Sequence, residues 1–228
     1  MLDPVGDARH TCRMATVQQS RRRRLALAGA VEAFWFLGLS LLLGLLRSGY
    51  DPTHDAISRL GEQGSSAPLL WNAGGFGIAA ALYLTYAVAI AEEFGTGWLF
   101  LATMVQAVTI AGSAVFNCDQ GCPPVATSTS GTLHTVFGLP YFAITCVVPL
   151  VAARTFRRRD DWRGATPTSY LTAILLVVLF LVGPFLGADR VGLWQRVVLL
   201  PALAWQAWIS LRLHRLRSVV LRGVDGAP

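Results

Sequence analysis

One carboxylate stands inside an apolar stretch of this 228-residue chain: Glu32, seven residues past Leu25. In a helix that spacing is about 10 Å along the axis. An ionisable side chain at such depth in a membrane is costly and points to function. The plainer role is a neutral carboxylic acid hydrogen-bonded to a neighbouring helix; Tyr86 and Gln206 lie at comparable depth and can serve as its partner. With Phe34, Trp35 and Phe36 beside it, the same acid can instead protonate an apolar alkene, the ring faces stabilising the cation.

The segment from Tyr50 to Glu62 is richest in polar groups. It reads as a short surface helix, with Asp51 as N-cap, Pro52 at the first helical position and Gly61 at the C-terminal cap. Asp55 and Arg59, four apart, can pair, and His54 and Ser58 share a face. His54, Ser58 and Glu62 are left without a structural task. Further polar residues sit at the edges of other apolar stretches: Asn72, Asn117, Asp119, His134, Asp189, Arg190, Gln195 and Arg196. Gathered at one face, they can form an acid–base or headgroup-binding site, with arginines gripping phosphate. Glu32 and Asp119 are then candidate acids and His54 and His134 candidate bases. Asp51, Asp55, Ser58, Arg59, Asn72, Gln195 and Arg196 are candidate substrate-binding residues. The plainer reading is that helix ends carry interfacial polar residues in any case. No histidine or carboxylate pair has a strong metal-ligand spacing, and no cofactor is indicated. Cys118 and Cys122 can close a small disulfide ring, remain free thiols, or supply half of a zinc site whose other half is not in view. Cys146 reads as a small apolar residue.

The elements that must position these groups follow from composition. Hydrophobic residues make up 54% and charged residues 14% of the chain, and the mean hydropathy is +0.50. A soluble domain carries about 25% charged residues. Soluble, disordered and nucleic-acid-binding classes are therefore excluded, despite a net charge of +6, because all 19 basic residues are arginines set between apolar blocks. Six blocks are long enough to cross a bilayer as helices: 25–46, 69–91, 97–116, 133–153, 170–186 and 193–213. They are continuously apolar, unlike the alternating strands of a barrel. The fold class is an all-α polytopic membrane bundle of six transmembrane helices. With the N-terminus inside, 15 arginines face the cytoplasm and four (Arg47, Arg59, Arg190, Arg196) the outside, so both termini are expected in the cytoplasm and the protein in the cytoplasmic membrane. A basic tail (1–24), the bundle (25–213) and a second cytoplasmic tail (214–228) make up the chain. The first block is too long for a signal peptide, Ser20-Arg21-Arg22 is only faintly like a twin-arginine signal, and Met14 is an alternative start. Trp71 and Trp194 at outer ends, and Trp98 and Trp208 near inner ends, fit an aromatic belt. Ala73, Gly77 and Ala81 have the small-xxx-small spacing of close helix approach. Pro140, Pro149, Pro184 and Pro201 are expected to kink their helices. The run 154–163 reads as a topology determinant alone.

Four motifs carry a resemblance to a known family: Tyr50-Asp51-Pro52 through Ile57-Ser58-Arg59-Leu60-Gly61, Phe116-Asn117-Cys118-Asp119, Leu133-His134-Thr135 with Gly138, and Gly192-Leu193-Trp194-Gln195-Arg196. The chain resembles the six-helix bacterial membrane proteins of domain of unknown function family 998, distantly similar to Frag1/DRAM/Sfk1-like membrane proteins. The family pattern after the third helix is Phe-Pro-x-Asp; here Asn117-Cys118 replaces the usual residues and Asp119 keeps the acid. The resemblance implies six helices and a polar outer-face cluster, and no reaction. Three functions follow as expectations. The first is a pocket for a lipid or amphiphile that opens outward, lined by Asp51, His54, Ser58, Asp119, His134 and Arg196. The second is an enzyme acting on a lipid or isoprenoid. The third is a transporter or helper subunit in which Glu32 carries a proton, although no inverted repeat is visible.

Overall fold

The computed structural model describes residues 20, 21 and 24–225, without the side chains of 184, 186, 188 and 217–225. Most of the basic tail, with Cys12 and Met14, and the side chains of Arg217 and Arg222 lie outside the described residues. Six helices cross the molecule: α1 (Ala28–Leu46), α2 (Pro68–Phe94), α3 (Trp98–Val115), α4 (Thr129–Phe156), α5 (Thr166–Val182) and α6 (Val191–Asp225). All six are long and apolar enough to span a bilayer. With no water in the hydrocarbon core, an apolar chain must satisfy its backbone internally, and the helix does so within each segment. The protein is therefore a multi-pass membrane protein whose helices stand in lipid. α5 is the least buried span, with Leu171, Ile174, Leu175, Val178 and Leu181 exposed.

Each helix packs against the next, and α6 packs against α1, so the six close into a ring. Ser210 of α6 fastens that closure: its hydroxyl accepts from Ala30 N–H (2.9 Å) and donates to the Ala26 carbonyl. Phe36, Trp71 and Phe76 pack with ring centroids 5.2–5.9 Å apart in the central core. A second cluster, including Phe156 and Trp162 in a stack at 4.8 Å, fills the end where α1 begins and α6 leaves, called here the terminal end. The opposite end, called distal, holds the loops after α1, α3 and α5.

Several sequence-based expectations change. The first loop is a set of turns followed by a 3₁₀ helix, Ile57–Gly61, and not a capped surface helix. Asp51 bonds Thr53 within its own turn, and Gly61 lies inside the element, close against Asn72. α2 contains a π-helical turn, Asn72–Gly77, which inserts one residue into the register. Ala73 and Ala81 face outward, and the buried small positions of this stretch are Gly75, Ala79 and Ala80. Gly75 makes room for the Trp71 ring of its own helix, since a Cβ there would stand 2.6 Å from it. Trp71 is fully buried and Trp194 lies between Phe142 and Phe180, so neither belongs to an aromatic belt; Trp98, 78% exposed, can. Pro184 falls in a 3₁₀ segment, Gly183–Leu186, after α5, whereas Pro140 and Pro149 lie inside α4 and Pro201 inside α6. The last helix continues to Asp225, through most of the expected tail.

Candidate functional site

The four motif segments meet at the distal end. The first loop sits on the start of α6. Leu193 N–H donates to the Thr53 carbonyl (2.9 Å), and Ile57 N–H donates to Gln195 Oε1 (2.7 Å). Arg196 reaches the carbonyls of Pro52 (2.7 Å) and Asp55 (3.2 Å) and the Tyr50 hydroxyl (2.6 Å). A Cβ at Gly192 would lie 2.3 Å from the Asp55 carbonyl oxygen, so only glycine allows this docking. Burial outweighs the nearby Arg196 and raises the Tyr50 phenol above its ordinary range.

The same loop is tied to the α3–α4 loop. Gln63 N–H donates to the Cys118 carbonyl (2.9 Å), and Glu62 accepts from Gly121 N–H. Glu62, buried, is paired with Arg47. It therefore has the structural task that the sequence did not reveal. Cys118 and Cys122 are joined by a disulfide, with Cα atoms 5.2 Å apart.

Asp119 is the knot of this second loop. Its carboxylate accepts from Thr127 N–H (2.6 Å) and hydroxyl (3.0 Å), Ser128 N–H (3.1 Å) and hydroxyl, and Gln63 Nε2 (3.2 Å). The Ser128 hydroxyl, followed by the other donors, holds its pKa down at about 2. An ionised carboxylate with five donors is a poor proton donor, so the role of acid assigned from the sequence does not fit; Asp119 is an anchor. Ser128 also caps α4, accepting from Gly131 N–H (2.9 Å). Its place before an apolar run is the signal that could have found it.

Between these loops, α4 and α6 lies a cavity of about 360 Å³. Its walls are mostly apolar and aromatic, including Leu139, Phe142, Trp194, Pro123 and Pro124, and its polar side chains are Ser58, Asp119, His134, Thr135 and Gln195. A space of about 30 Å³, the size of one water molecule, continues inward past His134 and Gly138 to Tyr141. His134 Nδ1 lies 2.7 Å from the Phe116 carbonyl, which fixes the proton on that nitrogen in the neutral ring and leaves Nε2 as the basic atom.

Of the predicted site residues, Ser58, Asp119, His134 and Gln195 line this cavity. Asp51, His54, Asp55, Arg59, Asn72 and Arg196 do not. Asp51 accepts from the Thr53 hydroxyl (2.7 Å) and N–H (2.8 Å), with His54 Nδ1 3.0 Å away, and these bonds lower its pKa to about 2. Asp55 pairs with Arg59 as the spacing implied. Asn72 donates to the Gly61 carbonyl (2.8 Å) and Arg196 is spent on loop carbonyls, so both are structural. Glu32 is fully buried near the start of α1, away from the distal end; Gln206, not Tyr86, is its hydrogen-bond partner (2.7 Å), and Oε1 has no hydrogen bond. It lines neither the cavity nor its inward extension. Phe34 is 72% exposed and Trp35 donates to the Gly74 carbonyl (2.7 Å), so these two rings are engaged elsewhere and not in a cage around the acid. Sequence reading missed a buried pair near it, Tyr83 and Tyr141, whose hydroxyls are 3.1 Å apart.

The family profile described as "Protein of unknown function (DUF998)" matches residues 28–212, most of the chain, from the start of α1 into α6. The chain belongs to the DUF998 family. Comparison with curated proteins finds no match, and neither does comparison with solved structures. The DUF998 segments quoted from the sequence thus have a physical meaning in this member: they bind one another, and the cavity is what they enclose.

Proposed function

We propose that this DUF998 protein binds a lipid or similar amphiphile in the distal cavity, and that the cavity opens on the extracytoplasmic side. One observation carries the reading: a largely aromatic and apolar chamber beside membrane helices, with Ser58, His134, Thr135 and Gln195 among the few polar side chains in its lining. Apolar walls with a few placed polar groups are how proteins hold amphiphilic ligands. The arginine count and the disulfide at this end support the outward orientation. Gly138 provides the test. A Cβ there meets nothing closer than 3.9 Å, so Gly138→Leu fills the chamber without a backbone clash. Mass spectrometry of molecules retained after mild detergent extraction should show a bound amphiphile in the parent and about tenfold less in Gly138→Leu at equal melting temperature. Equal retention in the two would sink the reading.

A second reading, acid–base chemistry on the bound amphiphile, rests on His134, whose tautomer is fixed and whose ring lines the chamber. Here His134→Ala keeps the ligand but stops its conversion. Unchanged conversion removes the enzyme reading and leaves the binding one.

A further inference from the structure

At the terminal end a second cavity, about 590 Å³, opens between the α2–α3 turn and the end of α4. Phe94, Trp98 and Val151 form its apolar half; Arg154, Arg158 and Arg159 form its basic half. Arg159 is fixed in place. It donates to the Glu93 carbonyl (3.1 Å) and carboxylate (3.2 Å), pairs with Asp161 (3.1 Å) and lies 5.7 Å over the Phe94 ring. The acidic groups nearby are already engaged: Glu93 and Asp161 by Arg159, Asp160 by Arg163 at 2.7 Å, and Glu92 by Arg21 at 2.6 Å. Arg154 and Arg158 have no ion pair among the described residues. Two unneutralised guanidinium groups thus stand at the mouth of a cleft whose floor is apolar and whose rim carries an exposed tryptophan.

We propose that this cleft is a binding site for an anionic phospholipid. The charges match a phosphate at headgroup depth, where Arg158 and Arg154 can each offer two parallel N–H donors. Val151 lies about one turn nearer the middle of α4 than Arg154, where the upper acyl chain would run, and Phe94 and Trp98 stand at the helix ends, Trp98 in the interface that indoles favour. The arginine run therefore holds a lipid in addition to biasing topology. The site is independent of the distal chamber, at the opposite end of the bundle.

Native mass spectrometry of the purified full chain tests it, with phosphatidylglycerol, phosphatidylcholine of the same acyl chains, and glycerol 1-phosphate as probes. The parent is expected to retain phosphatidylglycerol over phosphatidylcholine, and Arg154→Gln/Arg158→Gln to lose that preference about tenfold or more. Arg157→Gln, outside the cleft, and Gly138→Leu, at the other end, are expected to keep it. Because the double variant also weakens the topology signal, Val151→Trp is a second probe; it fills the floor, leaves every charge, and is expected to weaken phosphatidylglycerol binding. Undiminished preference in the double variant or in Val151→Trp overturns the proposal. So does an equal loss in Arg157→Gln, or glycerol phosphate binding as tightly as the lipid.

Discussion

Asp119 is an ion at neutral pH, and five donors from two chain segments depend on its charge. Its pKa falls from 3.8 to about 2 on folding, so its stabilisation is complete above about pH 4 and is lost as pH falls toward 2. Asp51 behaves alike, so the parent is expected to lose thermal stability across that window through both groups. Asp119→Asn should melt lower than the parent at neutral pH and show a shallower acid decline; melting curves at several pH values decide, and an identical decline would refute the anchor role. The sequence singled out Asp119 by type but not the five hydrogen bonds that hold it. Its donors, Gln63, Thr127 and Ser128, sit on loops whose approach no spacing encodes. Asp55 and Arg59 were legible because four residues of local chain set their distance, even though the element is not the helix expected.

The helices themselves were legible, since unbroken apolar length leaves a bilayer-spanning chain few alternatives. Their internal irregularities were not. The π-helical turn in α2 has no composition that marks it, and Ala73 and Ala81 face outward. The turn begins at Asn72, whose side chain holds the first loop at Gly61. A Cβ at Gly61 would lie 2.1 Å from Asn72 Oδ1. Gly61→Ala is therefore expected to cost about 1–3 kcal/mol through overpacking. In an Asn72→Ala background the same change should cost much less, because the clashing amide is gone. Denaturation of the four proteins of this cycle measures the coupling; additive effects would show that the contact does not hold the loop.

For the whole molecule, the ring order α1 to α6 puts both described ends of the chain on one side, whichever way the bundle faces. Arginine asymmetry supplies the direction: the terminal side is expected in the cytoplasm. With Cys12 replaced by serine, a membrane-impermeant thiol reagent applied to intact cells should label Ser65→Cys and not Asp160→Cys. The reverse pattern would invert the orientation and with it the side on which the chamber opens. Closure of the chamber was not legible, because its walls are joined by contacts such as Ile57 to Gln195, 138 residues apart. That separation orders the birth of the protein. A ribosome makes the first loop early and its seat on α6 last, so the bonds from Ile57 to Gln195 and from Arg196 to the Pro52 and Asp55 carbonyls form only after five spans are already made. A chain halted before residue 192 lacks every one of these bonds, and its first loop has no seat.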